Sequence, residues 1–181
     1  MIKLVFVLTL LLLGVILNGC SSISIDSYQA TAATKDVVNH ASGNYSAGSV
    51  SGQTGVQSDQ LLKSSLPCRL ETFKMPAGQP VTLYIQNALK SELVAGEKLS
   101  APEGRRIDIV VNKLESDTSK VRDGRWTLDF VYKIGKISRL IHTTTEYPFD
   151  ADSGVACRKT AEAFDHALRA NFVKFFESLN H

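Results

Sequence analysis

Arg125-Trp126-Thr127-Leu128-Asp129-Phe130-Val131-Tyr132-Lys133-Ile134 alternates between two sets of side chains without a break. Successive strand residues point to opposite faces, so Trp126, Leu128, Phe130, Tyr132 and Ile134 go to one side. Thr127, Asp129, Val131 and Lys133 go to the other. A strand of this kind has one buried and one solvated face, as in an antiparallel sheet covered on a single side. Gly135-Lys136 then suits a tight hairpin turn with glycine first. Residues 137–147 are rich in β-branched side chains and return as a partner strand, which Pro148 ends. Upstream, Ile107, Ile109 and Val111 alternate with Asp108, Val110 and Asn112, so the pattern predicts a three-stranded meander.

Helical spacing flanks the meander on both sides. Val81, Tyr84, Ile85, Ala88, Leu89 and Leu93 recur at steps of three and four, and Gly96 closes the run. Over residues 154–179, Cys157, Ala161, Phe164, Leu168, Phe172, Phe175 and Leu179 fall on one stripe, with Arg158, Lys159, Glu162, Arg169 and Lys174 off it. The aromatic members of that stripe read as a core face packed on a sheet. Residues 150–154 lack the later ligands of a calcium loop and read as the N-cap of this helix. Residues 68–75 predict a first strand with Leu70 and Phe73 as its apolar members, ended by Pro76-Ala77-Gly78. The order strand, helix, meander, helix predicts an α+β fold: a two-layer sandwich in which an antiparallel sheet of about four strands carries two helices on one face.

The amino terminus has a different character. Lys3 precedes an apolar run over residues 4–17, too short for a comfortable membrane span of ~20 residues and typical of a secretory signal. Leu17-Asn18-Gly19-Cys20 at its end resembles the bacterial lipobox, which implies that Cys20 is acylated after the signal is cut before it. Each buried methylene contributes about 0.8 kcal/mol and two or more chains give stable attachment, so such an anchor is in effect permanent. Ser21 stands where an inner-membrane retention aspartate would be in lipoproteins of this kind, which implies the outer membrane, periplasmic side. The expected division is therefore 1–19 signal, 20–65 lipid-anchored tether and 66–181 folded domain. Residues 21–60 are rich in Ser, Ala, Thr and Gly and predict a flexible tether with a reach of about 35 Å. Within them, Ile23-Ser24-Ile25-Asp26 alternates and predicts an edge strand.

With Cys20 assigned to lipid, Cys68 and Cys157 remain as an even pair in an oxidising compartment and predict a disulfide, the alternative being two buried free thiols. Neither lies in a CxxC motif or close to a histidine, which argues against zinc or redox chemistry. The chain has 20 Lys and Arg against 18 Asp and Glu, so charge gives no reason to expect nucleic acid. No HExxH, GxSxG or phosphate-loop motif is present, and the reading assigns no catalytic residue, no metal and no cofactor. His40 and His181 fall in the expected tether and at the terminus. His142 reads as a sheet-surface residue, and His166 follows Glu162 by one helical turn.

The lipobox, the loose segment after it, Leu89-Lys90-Ser91-Glu92-Leu93 closing a helix, and the strand Ile107-Asp108-Ile109-Val110-Val111-Asn112-Lys113-Leu114-Glu115-Ser116-Asp117 together resemble the small YajG-type lipoproteins. The same element order is similar to that of LptE-type lipoproteins of lipopolysaccharide assembly and of auxiliary lipoproteins of lipid-transport systems. The resemblance implies a non-enzymatic accessory or binding module at the outer membrane, held to the membrane by its lipid and serving an envelope protein or lipid partner. Its patterning transfers no functional residue. The one-sided sheet instead nominates Thr127, Asp129, Val131 and Lys133 as a partner-binding face. Two alternatives stand beside this one: a lipid-anchored envelope hydrolase using His142 or His166 with a carboxylate, and a surface-displayed lipoprotein.

Overall fold

A computed structural model of the chain describes residues 23–53, 56–101, 103–119 and 123–180. The elements follow in the order β1 (Ile23–Ser24), α1 (Ala32–His40), β2 (Tyr45–Gly52), α2 (Val56–Leu62), β3 (Ser65–Cys68), β4 (Glu71–Lys74), α3 (Val81–Ala95), β5 (Arg105–Asp117), β6 (Asp123–Ile134), β7 (Ile137–Pro148) and α4 (Ser153–Glu177). The meander read from the sequence is β5–β6–β7, antiparallel throughout, with Ile134 and Ile137 closing the hairpin around Gly135-Lys136. Gly135 takes a φ of 58°, the left-handed backbone that makes glycine suitable for this turn.

The α+β sandwich holds, with two differences in its sheets. The larger sheet has four strands in the order β2-β5-β6-β7, and β2 joins β5 in parallel, so it is mixed rather than purely antiparallel. The stretch expected as one strand over residues 68–75 is half of a hairpin, β3–β4, in a separate three-stranded sheet of order β1-β4-β3. Arg69 turns with a φ of 56° and Leu70, expected as an apolar strand member, sits at the tip, 87% exposed. The edge strand expected at Ile23 is present as β1, parallel to β4.

The flexible tether expected over residues 20–65 is the larger correction. Of its described part, α1, β2 and α2 are regular elements, and Tyr28, Val38, Ala41, Tyr45 and Leu61 are buried in the core. Composition misled because the serines and glycines of β2 make contacts instead of loosening the chain. Asp108 Oδ1 accepts from the Ser49 backbone N–H at 2.7 Å and from its hydroxyl at 2.8 Å, and Gln86 Nε2 donates to the Gly48 carbonyl at 2.5 Å. The signal at 1–19 and Cys20 lie outside the described residues.

The core lies between the larger sheet and the two long helices. Trp126 meets Phe164 of α4, and Tyr132 meets Phe172 and Phe175, while Ile107, Ile109, Val111, Leu128, Phe130 and Leu168 are buried in the same core. A register shift between Val111 and Lys113 then brings Leu114 inward. Side chains also lock α4 by hydrogen bonds, since a buried polar group left unpaired costs about 1–3 kcal/mol. Trp126 Nε1 donates to the Thr160 carbonyl at 2.9 Å, Tyr147 donates to Thr160 Oγ1 at 3.0 Å, and Tyr132 donates to Asn171 Oδ1 at 2.7 Å. Asp152 caps α4 as expected, accepting from the Val155 N–H at 2.9 Å. Cys68 and Cys157 form a disulfide with Cα atoms 5.0 Å apart, joining β3 to the first turns of α4.

Candidate functional site

Helices cover one face of the larger sheet, and the other face is an ordered ladder. Reading across β5, β6 and β7, the register places Asp108–Lys133–Ser138 in one row, Val110–Val131–Leu140 in the next, then Lys113–Asp129–His142 and Glu115–Thr127–Thr144. The four residues nominated from the sequence, Thr127, Asp129, Val131 and Lys133, therefore share this face as expected. Thr127, Asp129 and Val131 are half-buried by their row neighbours and Lys133 is exposed. The register also adds two residues that the single strand did not reveal. Val110 and Leu140 flank Val131, so an apolar row crosses three strands on the open face, with Leu140 63% exposed.

Charge lines both sides of that row. Lys113 pairs with Glu115 at 2.9 Å, and Arg106 pairs with Asp108 at 2.8 Å. Asp129 Oδ1 lies 2.5 Å from His142 Nδ1, and His142 Nε2 lies 3.4 Å from Thr144 Oγ1. A carboxylate, an imidazole and a hydroxyl are thus linked in the order used by nucleophilic hydrolases. This chain lies on the open strand surface, where the His142 side chain is 61% exposed, so water is not excluded from it.

A second concave feature lies on the helix side. Ile23, Ser24, Ile25 and Asp26 face Arg158, Ala161, Glu162, Asp165, His166 and Arg169 of α4 across a groove of about 500 Å³. A polar network that includes the lining residues Asp26, Asp165 and Arg169 fastens the segment after β1 to the helices. Tyr84 donates to Asp165 Oδ1 at 2.5 Å and to the Asp26 carbonyl at 3.3 Å, while Tyr28 donates to the buried carboxylate of Glu92. Arg169 donates to the Gln29 carbonyl at 3.0 Å, with its guanidinium 5.6 Å from the Tyr28 ring centroid. Burial pushes the Asp165 carboxyl above its ordinary range, against the opposing Tyr84 hydrogen bond and Arg169 charge. Burial, reinforced by Asp165 and Glu92 respectively, holds the Tyr84 and Tyr28 hydroxyls in their protonated, donating form. His166 stands at the groove's exposed side, with Arg169 Nη1 3.3 Å from its Nδ1. Glu162 is one turn away, and Ser24 also lines the groove, its hydroxyl donating to the Ile25 carbonyl at 3.3 Å and the Lys74 carbonyl at 3.5 Å.

Among the described residues, no group of three or more His, Cys, Asp or Glu side chains is placed to hold a metal ion. No helix among them is long and apolar enough to cross a membrane.

No family model matches the chain, and no curated relative matches it. By structure it is similar to protein XCC0632 from Xanthomonas campestris, described under the family DUF330, with a TM-score of 0.45 and 14% identity over 86% of this chain and 89% of that one. It is also similar to a crystal structure of an uncharacterized protein, with a TM-score of 0.52 and 7% identity over 88% of this chain and 99% of that one. The second likeness spans nearly the whole of that protein. At this identity it speaks to the fold alone.

Proposed function

We propose that this protein is an outer-membrane lipoprotein, acylated at Cys20 and facing the periplasm, that acts as a non-enzymatic accessory module by docking an envelope protein on the open face of its larger sheet. The observation that carries the reading is the Val110–Val131–Leu140 row. Apolar side chains crossing three strands in water, with charged rows on either side, have the composition of a binding patch: an apolar centre within a polar rim. The disulfide supports an oxidising compartment, and the lipobox supports the anchor.

The hydrogen-bonded Asp129, His142 and Thr144 favour a second reading, a hydrolase with Thr144 as nucleophile. The two readings share Asp129, so its removal does not separate them. Thr144→Val and Val131→Lys do. Thr144 is exposed and Val131 half-buried on the open face, outside the core, so both variants should keep the fold, which a melting curve checks. Docking predicts that crosslinking in cells, and complementation of a deletion strain, survive Thr144→Val and are lost with Val131→Lys. Loss through Thr144→Val, with capture kept in Val131→Lys, would overturn the docking reading in favour of the hydrolase.

A further inference from the structure

The correction to the tether fixes which way the molecule faces. Ile23, the first residue lining the groove between β1 and α4, is three residues beyond Cys20. An extended chain advances at most ~3.6 Å per residue, so the Cα of Ile23 stays within about 11 Å of that of Cys20. The headgroup layer adds about 5–7 Å on each side of a bilayer's hydrocarbon core. A forty-residue tether would favour no face, whereas a three-residue link keeps the β1 edge and α4 next to the headgroups.

The chemistry of the groove suits that neighbour. Arg158, Glu162, Asp165, His166 and Arg169 recur at helical spacing along the side of α4 that faces β1. Arg158 and Glu162 are exposed, and neither has a hydrogen-bonded or ion-paired partner among the described residues. Arg169 keeps a buried Nε without a partner. Lys74 lies across from Ser24 in the β1–β4 register and is exposed. Guanidinium groups match phosphate oxygens in a fork, and a free carboxylate beside them matches a headgroup ammonium.

We infer that the β1–α4 groove is the membrane-facing surface of the domain and seats the phosphodiester headgroups of glycerophospholipids, with Arg158 on the phosphate and Glu162 beside it for an amine. This rests on the acylation of Cys20 in the proposed function. It does not depend on what docks at the sheet.

The test uses the full chain in cells labelled with radiophosphate, with a photoreactive amino acid replacing either Glu162 or Leu140. Irradiation should yield a radiolabelled phospholipid adduct from position 162 and not from 140. Arg158→Glu should lower the yield at 162 several-fold, and Arg158→Lys should keep most of it. Equal lipid adducts at both positions, or only protein adducts at 162, would overturn the inference. The mass of the amino-terminal peptide separates the two layers of argument. An acylated Cys20 without a lipid adduct at 162 sinks this inference alone, and an unacylated Cys20 sinks the anchor with it.

Discussion

Asp165 shows how one half-buried side chain gives the domain a pH dependence. Its carboxyl ionises above the ordinary aspartate value of 3.8 in the folded chain, because the groove wall removes water from it. The unfolded chain therefore releases this proton at lower pH than the folded one. The stability the group contributes is complete below about pH 3.8 and is lost as pH rises through the raised folded value. Asp108, Asp117 and Asp150 lie below the ordinary value and slope the other way, so the comparison must be between variant and parent. Asp165→Asn keeps an oxygen to accept from Tyr84 and removes the titration. Denaturant midpoints measured across the acid range should show the variant gaining on the parent as pH rises above 3.8. A constant offset between the two curves would show that Asp165 does not carry this term.

At the scale of elements, the parts legible in the sequence were those with one wet and one dry face. β5, β6, α3 and α4 each print a period of two or 3.6, because their buried side chains lie on one side only, and β7 was legible from its β-branched content and the hairpin turn before it. β2 prints nothing comparable. It is a half-buried strand of small residues, held by backbone pairing to β5 and by side chains reaching it from Gln86 and Asp108. Neither source of support is visible from its own composition. The β3–β4 turn was hidden for another reason: Arg69 occupies the left-handed region without a glycine to announce it. For the proposed docking face, the outward residues of β6 were readable, whereas Val110 and Leu140 became neighbours of Val131 only once strand register was known. The groove required the fold itself, since its two walls are more than a hundred residues apart in sequence. The pairing of Cys68 and Cys157 was readable, and its consequence belongs to this scale because it ties the small sheet to α4. At a sequence separation of 89, the cross-link contributes up to about 4–5 kcal/mol in the chain-entropy picture. The double variant Cys68→Ala/Cys157→Ala should unfold at markedly lower denaturant, whereas an unchanged midpoint would show that packing alone holds β3 to α4.

The whole molecule is arranged as layers, and the two proposed surfaces lie on different ones. The sheet stands between the helices and the open ladder, so a groove built on α4 and a row built on β5–β7 present different sides of the domain. In the proposed reading, an anchor at Cys20, three residues from Ile23 of β1, would hold the helix side near the membrane and leave the ladder free for a protein partner. This makes the two surfaces separable by mutation. Leu140 and Leu70 are both exposed leucines, at 63% and 87%, but only Leu140 belongs to the apolar row. An aspartate at an apolar interface centre removes contact area and buries an unpaired charge, a loss of about 2 kcal/mol or more at a hot spot. Leu140→Asp should therefore lower partner capture by more than ~10-fold, since each 1.4 kcal/mol is a factor of ten. The melting temperature should barely move, and the lipid adduct from a photoreactive amino acid at position 162 should persist. Leu70→Asp, on the hairpin tip of the other sheet, should leave capture and lipid contact unchanged. Equal loss of capture from both leucine variants would mean that exposed apolar surface in general, and not the three-strand row, binds the partner.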